Sequence, residues 1–371
     1  MRTALVSMQR LAIALLTLTL LSSRSALAQT WEAVGPNDAA LYVATDPSDP
    51  ARVWAGTFDG LFGSTDGGSM WVERDNGLPD ANGGQCTVQA SAFDPDRPRQ
   101  LYAGVGNRQN SFQGCGAFRG IGRGRRWRSL GIDDQNVSAL AFVSGRPDVL
   151  WAGTAGDGGD VRGGIWKRVG HRPWTRTFSF LDVDTDITAF ATDPRDGDTV
   201  YAASNNEGVL KTTDGGTSWT PANVGLPRFN FLGESSPTGA FIFTLPLVID
   251  AHDPDTLYVG TLGFGSCCID EVGIGGDAFT SHDGGATWSP STSGLTALNV
   301  LALVSDPTVA GTVYAGTTNG VFRSQDSGAT WSPFGLQGQL VRSLAESADG
   351  SALYAVTTTV NRLSLVSVES K

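Results

Sequence analysis

Carboxylates are the most numerous ionisable side chains in this sequence, and in pairs or clusters they could do chemistry. There are 37 Asp and Glu against 26 Lys and Arg, a net charge of −11. Two carboxylates about 5–9 Å apart can cleave a glycosidic bond, one as acid and the other as base or nucleophile. Carboxylates in alternation can hold Ca²⁺. The segment DVDTD, with Asp182, Asp184 and Asp186, has that alternation. Ile187 stands where such a loop needs glycine, and Asp193 where it needs its final Glu, so a solvated loop is the main expectation and Ca²⁺ the lesser one. The histidines are His171, His252 and His282, each in a turn segment, which leaves zinc and Ser-His chemistry without their usual base. The acidic balance gives no electrostatic reason to bind nucleic acid or an anionic membrane. No cofactor or metal is expected otherwise.

A further set of acids sits in a repeated context. STDGGSMW, TTDGGTSW, SHDGGATW and SQDSGATW place Asp66 with Trp71, Asp214 with Trp219, Asp283 with Trp288 and Asp326 with Trp331. Two more segments, FRGIGRGRRW and WKRVGHRPW, keep the Trp and lose the Asp. A catalytic acid repeated along a chain has no purpose, whereas a turn lock can be repeated and sometimes lost. Asp can accept hydrogen bonds from the N–H groups that follow it, and glycine can take positive φ.

The elements that carry these turns repeat as well. Upstream of each lies an aromatic followed by small residues, as in VWAGT, LYAGV, LWAGT, VYAAS, LYVGT, VYAGT and LYAVT, seven copies 40 to 57 residues apart. Before most of these come an Asp-Pro turn and a short apolar run. Each unit therefore reads as strand, Asp-Pro turn, strand, loop, strand, Asp-Gly turn, strand. Four short strands per unit predict a β-propeller blade, and seven units predict a single seven-bladed, all-β ring. The seventh unit lacks a Trp-bearing last strand, and TWEAVG near the N-terminus offers one, so Trp31 is expected to close the ring.

Met1–Ala28 reads as a secretory signal: Arg2 and Arg10, an apolar run from Leu11 to Leu21, then Ala26-Leu27-Ala28 before Gln29. The mature propeller then spans residues 29–371 in the periplasm or outside the cell, without membrane insertion and as a monomer. Cleavage would remove three arginines, leaving 23 basic against 37 acidic side chains, net −14. Four cysteines suit an oxidising compartment. Cys86 and Cys115 fall in neighbouring loops and are a disulfide candidate, while Cys267 and Cys268 stay open between a strained vicinal pair and free thiols.

The S-x-D-x-G-x-T-W signature resembles the Asp-box, or BNR, repeat, from which copy one departs at Met70. That resemblance covers the mature chain. It groups the chain with sialidases, sortilin-type receptors, xyloglucan-cleaving glycoside hydrolases and photosystem II assembly factors of the Ycf48 type. It implies a propeller with the long second-to-third-strand and inter-blade loops on one face and the Asp-box turns on the other. One fold hosts many functions. A sialidase needs a Tyr nucleophile, and all six tyrosines here occupy strand slots. The xyloglucan-cleaving relatives work in a cleft between two propellers, and this sequence holds one.

On the loop-rich face the pattern gathers Asp157, Asp160, Asp182, Asp184, Asp186, Glu234, Asp270 and Glu271 with Arg228, Phe229 and Phe231. These are the candidate binding residues, and no catalytic residue is assigned. The expectation is a protein- or peptide-binding or assembly scaffold with a partner that can be basic. The alternative is a carbohydrate-active enzyme, taking a polysaccharide and using a pair of these carboxylates.

Overall fold

The short apolar runs of the repeat pair as antiparallel strands, in seven sheets of four. The computed structural model describes residues 30–36, 38–79, 86–107, 114–156, 163–179, 185–228, 244–261, 277–296 and 299–365, and contains no helix among them. Blade 1 runs from Ala40 to Glu73, blade 2 from Cys86 to Gly131 and blade 3 from Asn136 to Ser179. Blade 4 runs from Ile187 to Pro221, blade 5 from Thr244 to Pro290 and blade 6 from Val300 to Gly335. Blade 7 takes Ser343–Glu346, Ala352–Val356 and Val360–Ser364, and its outer strand, Glu32–Ala33, comes from the other end of the chain. The chain is thus a seven-bladed β-propeller, and the compact unit is Trp31–Lys371. Met1–Ala28, the segment expected to be a secretory signal, lies outside the described residues.

First strands of successive blades touch all the way round, and those of blades 7 and 1 complete the circle. Six of these inner strands shift register near their start, for example between Val137 and Ala139 and between Val300 and Ala302. Bulges of this kind bend a strand and raise its twist, which suits the crowded axis of a ring. The second strands are covered on both sides by neighbouring blades. Val200–Ser204, Leu257–Thr261, Val313–Thr317 and Ala352–Val356 are buried at every residue. That burial explains the uninterrupted apolar run, which an amphipathic strand would not show. It also explains the small residue after the aromatic: a Cβ on Gly153 would lie 2.3 Å from Ile187 Cγ2 on the first strand of the next blade.

On one face, the Asp-Pro turns are locked by their own buried acids. Asp94, Asp250 and Asp306 each accept the N–H groups two and three residues on through Oδ1. The Asp-Gly turns lie on the same face. In each of the four intact copies, the Ser or Thr two residues ahead donates to Asp Oδ1 and accepts the N–H of the second turn position after the Asp. The same Oδ1 takes the N–H four residues on. In three copies a hydroxyl at that position, from Ser218, Thr287 or Thr330, donates to Oδ2 at 2.6 Å. Met70 has no hydroxyl, so the first copy lacks this bond. The hydroxyls of Ser218 and Thr287 are the main reason that the Asp214 and Asp283 carboxyls are held down at about 2; Asp66 is held low chiefly by the Met70 N–H.

The locked turn then reaches across to the preceding blade and lies on its second-strand aromatic. Gly216 of blade 4 sits over Trp151 of blade 3, and Gly285 of blade 5 over Tyr201 of blade 4. The Tyr201 hydroxyl donates to the Gly284 carbonyl at 2.7 Å. Behind the turn comes the tryptophan, whose indole N–H donates to the outer strand of the preceding blade. Trp288 reaches the Ala222 carbonyl at 2.8 Å, Trp331 that of Ser291 at 2.9 Å, and Trp174 that of Leu130 at 3.1 Å. Trp71 and Trp127 do the same to Val34 and Arg74, and Trp219 reaches the Thr177 hydroxyl. Trp31 completes the series by donating to the Phe334 carbonyl of blade 6 at 3.1 Å. One indole per blade therefore ties each outer strand to the one before it.

One buried acid breaks the pattern of locked carboxylates. Glu346 ends the first strand of blade 7, is 7% exposed, and its carboxyl faces that of Asp306 with no other polar partner among the described residues. Burial, and then the neighbouring Asp306, raise its pKa to about 8. From the ordinary Glu value up to about 8, the folded chain holds a proton that the unfolded chain gives up, so stability falls as pH rises through that window. Glu346→Gln should therefore leave stability nearly unchanged at about pH 4, and raise it by on the order of 2 kcal/mol at about pH 8. Urea titrations of both proteins at the two pH values read this directly.

Candidate functional site

The opposite face carries the second-to-third-strand loops and the inter-blade loops. In four blades its described floor is closed by a Thr at or next to the end of the second strand. Thr57, Thr154, Thr261 and Thr317 donate their hydroxyls to the carbonyls of Gly60, Gly164, Asp277 and Gly320. This is the reason for the Thr in the repeated A-G-T. Cys86 opens the first strand of blade 2 and Cys115 precedes its third, and the two form a disulfide with Cα atoms 6.1 Å apart. It closes a loop of 29 residues of separation, worth about 3.5 kcal/mol by chain entropy. Replacing both cysteines by Ser should lower the unfolding free energy by about that amount, read by urea unfolding of the two proteins side by side.

The candidate binding residues fall unevenly. Asp157, Asp160, Asp182, Asp184, Phe229, Phe231, Glu234, Asp270 and Glu271 lie outside the described residues, as do Cys267 and Cys268. Arg228 is described and exposed at the end of the segment following blade 4. Asp186 is described and is engaged by the scaffold. Its Oδ1 accepts the Gly156 N–H at 3.0 Å and its Oδ2 the Asn205 side-chain amide at 3.2 Å, while its own N–H goes to Asn205 Oδ1 at 2.7 Å. It ties the blade 3 loop to the blade 4 loop. Asp133 on the same face is similarly held, by the Ser129 hydroxyl at 2.6 Å. Among the described residues no group of His, Cys, Asp or Glu is arranged to hold a metal ion.

All ten tryptophans are described, and none stands free on this face. Seven make the inter-blade bonds above. Trp54 and Trp151 are buried second-strand residues, and Trp166 donates to the Thr154 hydroxyl beneath the Arg176 guanidinium. A sugar platform of exposed indole is therefore absent among the described residues.

A second concavity lies on the Asp-turn face, where blade 3 meets blade 2. It is a cleft of about 260 Å³, with Tyr102, Phe142 and Leu150 for a floor and Arg97, Arg119 and Arg168 around it. It adjoins a shallower trough that shares Arg97 and Arg119 and continues to Arg99 and Arg123. In the sequence these two blades stand out only as the copies without the Asp. The density of arginine in RGIGRGRRWR, on an acidic chain, is the signal that would have found it.

No family model and no curated protein sequence matches the chain. Solved structures do match its fold. A xyloglucanase of glycoside hydrolase family 74 from Xanthomonas campestris aligns over 90% of this chain and 53% of its own length, at 18% identity and a TM-score of 0.66. The extracellular domain of a one-component system from B. thetaiotaomicron aligns over 91% of this chain and 40% of its own, at 14% identity and a TM-score of 0.64. YCF48 bound to a D1 peptide aligns over 94% of this chain and 98% of its own, at 13% identity and a TM-score of 0.61. The chain spans about half the length of the xyloglucanase and nearly the whole of YCF48. At these identities the likeness shows the fold alone: this chain is a propeller of the kind that both an enzyme and a peptide-binding protein use.

Proposed function

We propose that the chain is a secreted or periplasmic Asp-box propeller that binds a protein or peptide through its loop-rich face. The observation that supports this most is the employment of the tryptophans. Every indole is spent inside the ring, so the described part of the loop face has no indole platform for a sugar chain; the exposed aromatic described there is Phe58, a single phenyl ring. The described acids point the same way. Asp186 and Asp133 are held by hydrogen bonds within the scaffold, which suits posts that fix loop shape better than a general acid and its base. The disulfide at Cys86 and Cys115 ties down two of the loops and agrees with export. The acidic balance favours a basic segment as the bound partner.

The second reading is a polysaccharide-cleaving enzyme, favoured by the likeness to the xyloglucanase. One experiment separates the two. The folded chain is incubated with a photo-crosslinking library of basic and neutral peptides, crosslinks are mapped by mass spectrometry, and a panel of polysaccharides is assayed for released oligosaccharide alongside. The binding reading expects crosslinks on the loop face, among them the segment ending at Arg228, and no release. Release that a single Asp or Glu substitution on that face abolishes would establish the enzyme instead.

A further inference from the structure

The cleft between blades 2 and 3 exists because one turn fails to arrive. On this face a glycine of the following blade lies against the second-strand aromatic of blades 1, 3, 4, 5 and 7. A Cβ on Gly216 would lie 2.3 Å from Trp151, one on Gly124 2.6 Å from Trp54, and one on Gly285 3.0 Å from Tyr201. In blade 3 the turn is VGHRP, without the Asp lock, and a Cβ on Gly170 would meet nothing within 4 Å. Tyr102 is left without its lid. Tyr201, Tyr258, Tyr314 and Tyr354 each donate their hydroxyl to a carbonyl or carboxylate. The Tyr102 hydroxyl donates to no atom among the described residues.

The walls of the uncovered space are cationic and already held in place. Arg168 donates to the Leu130 carbonyl at 2.9 Å and to that of Gly170 at 3.3 Å. Arg97 is pinned by the buried Asp94, with Nε and NH2 each 3.1 Å from Oδ2. The Arg119 side chain makes no hydrogen bond among the described residues, and its Nε is buried. Arg119 lines the cleft, and its guanidinium can pair with an anion held there. The floor is apolar: Tyr102 meets Phe142 edge-on with centroids 5.0 Å apart, and Leu150 is buried beside them. Two acids, Asp96 and Asp148, stand exposed at the rim with His171. They disfavour a dianion and leave room for a single negative charge. Typical ligand sites run from about 300 Å³ upward, so a cleft of about 260 Å³ suits a compact molecule.

We propose that this cleft binds a carboxylate carrying a compact aromatic or branched apolar group, with Arg119 and Arg168 taking the carboxylate and the Tyr102–Phe142–Leu150 floor taking the apolar part. Planar guanidinium groups match a carboxylate through paired N–H bonds. The same chemistry is offered by a free organic acid and by the last residue of a peptide chain.

Isothermal titration calorimetry of the full chain tests it with phenylacetate, N-acetyl-phenylalanine, N-acetyl-phenylalanine amide and sulfate. Saturable binding of phenylacetate and N-acetyl-phenylalanine, with neither the amide nor sulfate bound, is the expected result. Tighter binding of N-acetyl-phenylalanine would assign the site to chain ends, and tighter phenylacetate to free acids. Arg119→Gln should weaken the carboxylates by roughly ten- to a hundredfold. Gly170→Asp, at a position with open space and a φ of 58° that Asp tolerates, sets a competing carboxylate at the rim and should weaken them comparably without touching the core. Equal binding of the amide, binding of sulfate as tight as the carboxylates, no binding of either carboxylate, or undiminished binding in a correctly folded Gly170→Asp would each overturn the proposal.

Discussion

Trp288→Ala is expected to lower the unfolding free energy by about 3–5 kcal/mol, the range for deleting a buried aromatic. The side chain is 4% exposed and lies in a core that spans blades 4 and 5, against Tyr201, Leu226 and Leu247. Its indole N–H also meets the Ala222 carbonyl, so the variant leaves that acceptor without its partner. Trp288→Phe separates the two contributions. It keeps most of the apolar contact and loses the bond, so it should cost about 1–2 kcal/mol. Guanidinium unfolding monitored by circular dichroism reads both. A loss under about 1 kcal/mol for the alanine variant would mean that the outer strands are held by something else.

Gly216→Val is the second large effect. The residue has a φ of 88°, a region that L-residues avoid and a β-branched one most of all. Its Cβ would also lie 2.3 Å from Cη2 of Trp151, which is fully buried and packed edge-on against Trp219. The ring has nowhere to go. Backbone strain of about 1–2 kcal/mol and overpacking of about 1–3 kcal/mol together predict a loss of about 2–5 kcal/mol. Gly145→Ala is the control: its φ of 70° is similarly left-handed, but nothing lies within 4 Å of the added carbon. It should cost about 1–2 kcal/mol, the strain alone. Thermal melts of the two variants side by side separate contact from conformation. Equal losses would show that the turn does not rest on the ring.

How far the sequence could be read follows from which interactions are local and which repeat. The Asp locks join residues no more than four apart, so STDGGSMW discloses them directly. The seven sheets follow because one pattern recurs seven times. Even the distant pairing of Glu32–Ala33 with Asn361 and Arg362 is legible, since the last unit lacks a strand and the first residues have one to spare. The partner of Cys86 is legible from its place in the unit. The cleft at Tyr102 is of another kind. The altered turn in WKRVGHRPW is visible in the sequence, but its consequence falls on Tyr102, 68 residues before Gly170 and in a different blade. Only the knowledge that each turn rests on the preceding blade connects them. Glu346 is hidden for a similar reason, because its burial depends on blades 6 and 7 together. Asp186 reads as a solvated acid in DVDTD, and its hold on Gly156 and Asn205 appears only when two loops are brought side by side.

The account rests on the claim that the recurring acid, glycine and tryptophan fasten one blade to the next and do no chemistry. Hydrogen exchange of the indole N–H groups, followed by nitrogen-15 NMR, tests it most directly. The account predicts that the signals of Trp31, Trp71, Trp127, Trp174, Trp219, Trp288 and Trp331 are protected, and that Trp31→Phe speeds exchange at the other six together, because releasing one joint opens the ring. Fast exchange at these indoles in the intact chain, or loss of protection confined to the immediate neighbours of Trp31, would contradict it.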